Sequence, residues 1–562
     1  MPRLPVVLVA ALLAVAPALA EAPARAGALP AASAPVAVAI VVDQLGGWLA
    51  AERWPALPAD GGFARLRREG AWVRQLEYLH ANTETAPGHA SLFTGRTPRE
   101  HGILANEVVR DDLPGRPQAG LLEDRATRLV GVARDAHGVS LARLDGDTLA
   151  DALLARDPAA VVLALSLKDR GVVFAAGRRP RLAAWLDRDG KGGAAWVTTS
   201  VYPPLPAWLT ATAPDVTKAS PLAWDVADRA WVEAHAGTPD DAPGEDGSAW
   251  GGARFPHALA TARDGWRAWR AAPFSNDLVV DAGLEAVSRA RDPAHPMLLS
   301  LSLSGLDYVG HAFGVDSWEH WDALFRLDRT LARLLEGLDR RVGKGRYTVV
   351  LSGDHGMGPM PEAFPARTGA ACGAQDRWER PCAPGVRVQL EPVREALDAA
   401  VARALGAPAT PTGRYVERFV DPLIWLGPDA LAALPGARAE VEGAVVKAAG
   451  RIPGVAGAFP VGEGACPAPA DTSLAALACR SSRPGLGFAY LALAPGASFG
   501  YPDGMGHGSP WLYDRAVPLL VSGPGVAPGQ AIGRGTFGSY RATLWWALTG
   551  EVKDGAYGGV VR

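Results

Sequence analysis

The chain holds a threonine in a setting that suits a nucleophile. The stretch NTETAPGHASLFTGR, residues 82–96, places Thr83 and Thr85 two residues apart, and Thr85 directly precedes Ala-Pro-Gly-His and an apolar run. A hydroxyl at the start of a helix has two ordinary uses. It caps the helix, or it acts as a nucleophile. The positive end of the helix dipole attracts anionic groups to the same place.

Acidic and basic side chains follow the apolar runs that predict buried strands. The run at 36–43 ends in Asp43, the run at 159–169 leads into Lys168 and Arg170, the run at 296–307 leads into Asp307 and His311, and the run at 346–355 ends in Asp354 and His355. Ligand sites in open α/β sheets lie at the carboxyl ends of the strands. The pattern therefore predicts that side chains distant in sequence meet at one edge of a sheet.

These residue types favour a metal site. Asp and His are common zinc ligands, and Asp307 and His311 share a face if their segment is helical. Taken singly, Asp43 also suits a strand-end turn, His311 an interface, and Asp354-His355-Gly356 a tight turn. Lys168 and Arg170 lie two apart, so on an extended segment they point to one face and can hold an anion.

The motifs VVDQ, TETAPGH, HGILAN, SLKDRG, DYVGH, SGDHG and GHGS occur in the order found in the alkaline phosphatase superfamily. The chain most resembles the periplasmic, phosphate-irrepressible alkaline phosphatase branch, which has a threonine nucleophile. The resemblance implies two Zn²⁺ ions per chain. The implied ligands of one zinc are Asp307, His311 and His507; those of the other are Asp43, Asp354 and His355, with Thr85 bound to it.

The resemblance also implies a function. Thr85 would be the nucleophile that forms a phosphothreonine, and Asn106, Lys168 and Arg170 would contact the phosphate. The expected substrates are small-molecule phosphate monoesters, and a monomer is expected. Two alternatives stay open: a nucleotide pyrophosphatase or phosphodiesterase of the same superfamily, which would lack the Lys-x-Arg pair, and an exported metal-binding protein without catalysis.

The strands and helices alternate in the order typical of an α/β sheet. A further buried strand is predicted at 516–525, and helices are predicted at 317–342, at 431–450 with a Pro-Gly break, and near the C-terminus. Continuous apolar strands favour parallel pairing. The fold class expected is an alkaline phosphatase-like three-layer α/β/α sandwich with a mostly parallel central sheet and inserted modules.

The predicted domain organisation divides this core into three parts. The predicted divisions are a signal peptide at 1–20, core segments at 35–180, 281–356 and 506–562, an inserted cap at 181–280, and an inserted disulfide-containing module at 357–505.

Net charge, the N-terminus and the cysteines give expectations about partners and compartment. A net charge of −3 gives no basic surface for nucleic acid or anionic membranes. The N-terminus has one Arg, an apolar run and an A-x-A-like site, which predicts a signal peptide and a periplasmic or secreted protein; an uncleaved anchor is the alternative. Among three possible disulfide pairings we favour Cys372 with Cys382 and Cys466 with Cys479.

Overall fold

The computed structural model describes residues 34–113, 115–362, 375–381, 385–406, 415–420, 422–500 and 502–562. The predicted signal peptide at 1–20 and the predicted Cys372–Cys382 bridge lie outside these residues. Within them, Cys466 and Cys479 form a disulfide, as the sequence predicts. None of the described helices is long and apolar enough to span a membrane.

An eleven-stranded sheet forms the centre of the described part of the chain. From one edge to the other its strands are Gln530–Thr536, Gly70–Glu77, Ala516–Ser522, Thr348–Ser352, Val36–Val42, Met297–Leu303, Val161–Ser166, Leu182–Arg188, Ala194–Thr199, Glu123–Val130 and His137–Val139. All five strands predicted from the apolar runs belong to this sheet.

The middle of the sheet is parallel. The run of strands from Thr348–Ser352 to Leu182–Arg188 pairs in parallel throughout. In this register Val42 lies opposite Leu303, and Val41 lies opposite Ser352. The three central strands therefore end level with one another, and the residues that follow them emerge at the same edge.

One strand runs opposite to the expected direction. Ala516–Ser522 is antiparallel to both of its neighbours, so its prediction as a parallel strand is wrong. Six of its seven residues are buried. A strand covered on both faces is apolar throughout whichever way it runs, and its sequence carries no signal of direction.

Helices cover both faces of the sheet. Alternate residues of Val36–Val42 belong to two separate hydrophobic clusters, Val38 and Ile40 to one and Ala37 and Val41 to the other. The first cluster includes the predicted long helix, Trp318–Leu338, and the second includes Thr85–Thr94 and the C-terminal helix Gly538–Thr549. The three-layer α/β/α architecture is therefore confirmed.

The other helices connect these layers or belong to the inserted regions. They are Gly47–Arg53, Gly62–Glu69, Pro98–His101, Leu149–Arg156, Asp169–Ala176, Ala207–Thr210, Arg229–Ala236, Gly265–Arg270, Phe274–Ala290, Gly305–Phe313, Leu390–Ala404, Pro428–Ala449, Leu474–Arg480 and Leu512–Arg515. Pro428–Ala449 is kinked, with Pro435 inside it and a non-helical Ala437, at the predicted break.

Both inserted regions contain structure of their own. The region 181–280 gives two strands to the central sheet and a small ribbon of Ala223–Trp224 with His257–Ala258. The region 357–505 holds a four-stranded sheet, in the order Val416–Val420, Leu423–Leu426, Ala489–Leu493 and Val455–Pro460, with its own hydrophobic cluster. The exact domain boundaries stay a prediction.

Residues of the region 357–505 make hydrogen bonds to the loop that precedes Thr85 and fix its position. The Arg480 guanidinium donates to the carbonyl of Leu79. The Ser481 hydroxyl accepts hydrogen bonds from the backbone N–H groups of Ala81, at 2.6 Å, and Asn82, at 3.0 Å. The Cys466–Cys479 bridge lies directly beside these contacts in sequence. The backbone N–H and C=O groups of a buried loop need hydrogen-bond partners, and here residues about four hundred positions away in sequence supply them.

Ser481→Ala is expected to lower the free energy of unfolding by about 1–3 kcal/mol, because two buried N–H groups lose their acceptor. The measurement is urea unfolding followed by tryptophan fluorescence. Ser482→Ala is the matched control, since this buried hydroxyl donates only to carbonyls of its own helix end, Ala478 and Cys479. Equal losses in the two variants would contradict the role of Ser481.

Candidate active site

Thr85 is the first residue of a buried helix. Glu84 occupies the N-cap position before Thr85–Thr94, so Thr85 is not the helix cap. The side chain of Asn106 fixes this helix start, because its Oδ1 accepts from the Ala86 N–H at 2.9 Å. The Asn106 N–H donates in turn to the Glu84 carboxylate at 2.7 Å. The hydroxyl of Thr85 therefore sits at the positive end of the helix, where an anion is stabilised.

Gly88 and His89 explain the Pro-Gly-His that follows. A Cβ on Gly88 would lie 2.3 Å from the Asp354 carbonyl oxygen, so only glycine lets the helix approach this strand end. His89 Nδ1 lies 3.0 Å from the Thr85 carbonyl oxygen and 3.1 Å from Asp354 Oδ2, and its Nε2 lies 3.1 Å from Ser302 Oγ. His89 thus holds the helix and the strand ends together.

Three carboxylates emerge together where the sequence predicts. Asp43 follows Val36–Val42, Asp354 follows Thr348–Ser352, and Asp307 lies in the first turn of Gly305–Phe313. All three are buried. The neighbour of Asp43, Gln44, has a φ of 70° and links the other two: its N–H donates to Asp354 Oδ1 at 3.2 Å and its Nε2 to Asp307 Oδ1 at 3.3 Å.

Sequence reasoning missed Gln44. A buried non-glycine residue in the left-handed region is strained, and such residues concentrate at functional sites. Its signal was present in the VVDQ motif, where Gln44 follows the acid at the strand end.

The three histidines present the same ring atom to the acids. In each ring Nδ1 lies near a backbone carbonyl oxygen: Met505 at 2.6 Å for His311, Gly356 at 2.9 Å for His355, and Thr83 at 2.9 Å for His507. A carbonyl only accepts, so Nδ1 carries the proton. The Nε2 atoms lie 3.3 Å from Asp307 for His311, 3.2 Å from Asp43 for His355, and 3.5 Å from Asp307 for His507.

This arrangement fits a metal. Two groups, Asp43 with Asp354 and His355, and Asp307 with His355 and His507, each bring their ligand atoms within 4.8 Å of one another. Asp43 Oδ1, Asp354 Oδ2 and His355 Nε2 are buried, and although charged groups lie close to them, none makes a well-aligned hydrogen bond among the described residues. Oxygen and imidazole donors with carbonyl-anchored Nδ1 atoms are the usual surroundings of zinc.

His311 is the outlying member of the predicted ligands. It does not belong to either group, and its side chain is 40% exposed. Its Nε2 nevertheless approaches Asp307, because the two residues are one helical turn apart, as the sequence predicts. The ring of His507 lies between those of His311 and His355, with centroids 4.9 Å and 3.7 Å away.

Electrostatics in the group is dominated by burial and by the acids. Burial lowers the pKa of His355, but the facing carboxylates of Asp354 and Asp43 raise it to about 10. Burial, with the neighbouring charge of His355, lowers the pKa of His507 to about 3. Burial and the charge of Asp43 raise the pKa of Asp354. The buried carboxylates are therefore stabilised by positive charge placed beside them.

Lys168 supplies part of that charge. Its Nζ lies 2.5 Å from Asp43 Oδ2 and from Asp307 Oδ2, and 3.4 Å from Thr85 Oγ1. Burial lowers the pKa of Lys168, yet Asp307 and Asp43 outweigh it and raise that pKa above its ordinary value. The ammonium stays charged beside the threonine hydroxyl.

Arg170 lies further out than Lys168. The helix Asp169–Ala176 begins directly after Lys168, so the prediction of an extended segment for this pair is wrong. Asp169 in the first turn complements the helix dipole and starts the helix early. Arg170 is the second helical residue, its side chain is 31% exposed, and its nearest carboxylate is Asp169 at 3.5 Å.

Comparisons with known proteins identify the family and the fold. The sequence profile described as type I phosphodiesterase / nucleotide pyrophosphatase matches residues 37–134 and 170–404. A protein named calcium-transporting ATPase from Myroides odoratus is 30% identical over 342 residues, 59% of this chain and 61% of the relative. Alkaline phosphatase PafA of Elizabethkingia meningoseptica is 33% identical over 334 residues, 57% of this chain and 59% of the relative.

A solved structure shares the fold. The crystal structure of wild-type alkaline phosphatase PafA superposes with a TM-score of 0.77 at 24% identity and covers 92% of this chain and 96% of that one. The chain spans about 60% of the length of the curated relatives it matches. Because the family profile matches more than half of its residues, the protein belongs to the type I phosphodiesterase / nucleotide pyrophosphatase family, and its fold is that of alkaline phosphatase PafA.

Proposed function

We propose that the protein is an exported, metal-dependent alkaline phosphatase that hydrolyses small-molecule phosphate monoesters through a phosphothreonine. The observation that carries the proposal is the convergence of the Thr85 hydroxyl and the Lys168 ammonium, 3.4 Å apart, on a buried group of acids and imidazoles. Relatives named alkaline phosphatase support it.

The proposed cofactor is a pair of Zn²⁺ ions. Asp307, His311 and His507 would hold one ion. Asp43, Asp354, His355 and the Thr85 hydroxyl would hold the other. Zinc bound there supplies positive charge that favours the alkoxide form of a hydroxyl and stabilises a departing oxygen.

The chain's own residues supply the nucleophile and the positioning. Thr85 Oγ1 attacks phosphorus, the bond from phosphorus to the leaving oxygen breaks, and a phosphothreonine forms. Water then attacks phosphorus and releases inorganic phosphate with the Thr85 hydroxyl. Transfer of this kind depends mainly on positioning and on neutralising the phosphoryl oxygens. Lys168 and Arg170 do this with charge.

Asn106 is placed to contribute one neutral donor. Its Oδ1 accepts from the Ala86 N–H, which turns the other end of the amide, Nδ2, into the donor that remains for a substrate oxygen. This contact also ties the donor to the start of the helix that carries Thr85. The Asn106 amide would therefore be held at a fixed distance from the Thr85 hydroxyl.

Export is proposed on two grounds. The N-terminal residues 1–20 read as a signal peptide, and the Cys466–Cys479 disulfide suits an oxidising compartment.

The second candidate function is a phosphodiesterase, which the family's description favours. The Lys168–Arg170 pair distinguishes the two, because a monoester dianion has more charge on its non-bridging oxygens than a diester monoanion.

Thr85→Ala is expected to lower kcat for an aryl phosphate about a thousandfold or more, because the covalent step loses its nucleophile. Zinc content, measured by elemental analysis, should stay near that of the parent, since the six acid and imidazole ligands remain. Thr83→Ala is the matched control: its hydroxyl donates to the Ser509 carbonyl at 3.1 Å, and its turnover should stay within a few-fold of the parent. Parent-like turnover in Thr85→Ala would refute the nucleophile.

Replacing Lys168 and Arg170 together by Ala is expected to reduce kcat/KM for an aryl phosphate about a hundredfold more than for the bis-aryl diester, because two charge-assisted contacts to the dianion are lost. Steady-state kinetics on zinc-loaded enzyme measures both. Equal losses on the two substrates, or a parent enzyme that prefers the diester, would support the phosphodiesterase. A zinc-loaded parent that hydrolyses neither ester would support a non-catalytic protein.

A further inference from the structure

Arg270 is a cation beside the candidate site that the proposed chemistry does not use. It is the last residue of Gly265–Arg270, in the region 181–280. Its guanidinium carbon lies 4.4 Å from the ring centroid of Tyr308 and 5.1 Å from that of Trp266, and its Nη1 donates to the Tyr308 hydroxyl at 3.2 Å. Two aromatic rings and one hydrogen bond therefore hold the guanidinium in place.

No carboxylate of the described residues pairs with Arg270. Its Nε is buried and has no hydrogen-bond acceptor in that part of the chain. Arg267, three residues earlier on the same helix, is exposed and lies 3.8 Å from the Asp246 carboxylate. A partly buried guanidinium with no counterion is unfavourable in the free protein, and an anion brought by a ligand would offset that cost.

Tyr308 connects this arginine to the reacting group. It directly follows Asp307 in the chain, and the Lys168 ammonium lies 4.8 Å from its ring centroid. One aromatic ring thus contacts both Lys168 and Arg270. Lys168 is in turn next to the Thr85 hydroxyl. A ligand that places a phosphoryl group at Thr85 and extends along Tyr308 reaches Arg270.

We propose that Arg270 binds a second anionic group of the substrate, a carboxylate or a phosphate carried by the leaving alcohol. The proposal rests on the proposed function and names its substrate class: phosphate monoesters whose leaving group has a negative charge about one aromatic ring away from the reacting phosphoryl group. The planar fork of arginine matches both carboxylate and phosphate, and the stack on Tyr308 orients that fork in advance.

The test compares two esters of the same shape. 4-Carboxyphenyl phosphate and 4-carbamoylphenyl phosphate differ in the charge of one group. Their binding to zinc-loaded Thr85→Ala protein is measured by isothermal titration calorimetry, so the result does not depend on turnover. We expect the carboxylate ester to bind about tenfold or more tightly, the difference typical of one charge-assisted pair. 1,4-Phenylene bisphosphate then shows whether phosphate or carboxylate is preferred.

Second-site variants locate the effect. In Thr85→Ala/Arg270→Gln the preference for the carboxylate ester should disappear, and in Thr85→Ala/Arg270→Lys part of it should return, because the charge is restored without the fork. Thr85→Ala/Arg267→Gln is the control on the same helix and should keep the full preference. Circular dichroism shows whether each variant is folded.

The outcomes separate this proposal from the proposed function. Equal affinity for the two esters, including no detectable binding of either, or a preference that survives Arg270→Gln, overturns the role of Arg270. Equal and tight binding would mean that the phosphoryl group and the ring are recognised and the second anionic group is not. Failure of the parent enzyme to release phosphate from phenyl phosphate overturns the proposed function, whereas the binding preference is measured without turnover and stands or falls by itself.

Discussion

The site depends on cations that offset the mutual repulsion of three buried carboxylates. Asp43, Asp307 and Asp354 lie together where water cannot screen their charges, so nearby cations must compensate those charges. Burial and Asp307 raise the pKa of Asp43, but Lys168 and His355 outweigh them and lower it below its ordinary value. Asp43 thus stays charged because Lys168 and His355 are held against it, whereas burial and Asp43 raise the pKa of Asp354. A site built in this way selects for positive charge.

The backbone supplies the rigidity that such a group needs. The three central strands end in register, and the ring nitrogens that do not face the acids are fixed by carbonyls of Met505, Gly356 and Thr83. These carbonyls come from segments far apart in sequence. The orientation of the His311 and His507 rings is therefore a consequence of the whole fold, whereas that of His355 is set by its neighbour Gly356, and the ligand atoms are directed before any ion binds.

The sequence was sufficient where local pattern decides the outcome. Apolar runs located the strands, and the residues after them located the acids. It was insufficient where tertiary contact decides. The direction of Ala516–Ser522 leaves no mark on a strand buried on both faces, and the early helix start at Asp169 replaced the predicted extended segment. The support that Ser481 gives to Ala81 joins residues 400 positions apart, which no spacing rule shows.

The fold separates the part that fixes charge from the part that meets the substrate. Every acid of the central group follows a strand of the parallel core, whereas Arg270 lies at the rim of the site, in the region 181–280. A substitution on the rim leaves the strand ends and their charge balance in place. Surface loops in general tolerate change better than the elements they connect, and function lies in sites carried by a fold. Substrate choice at this site is therefore expected to reside in rim residues such as Arg270, and the chemistry in the strand ends.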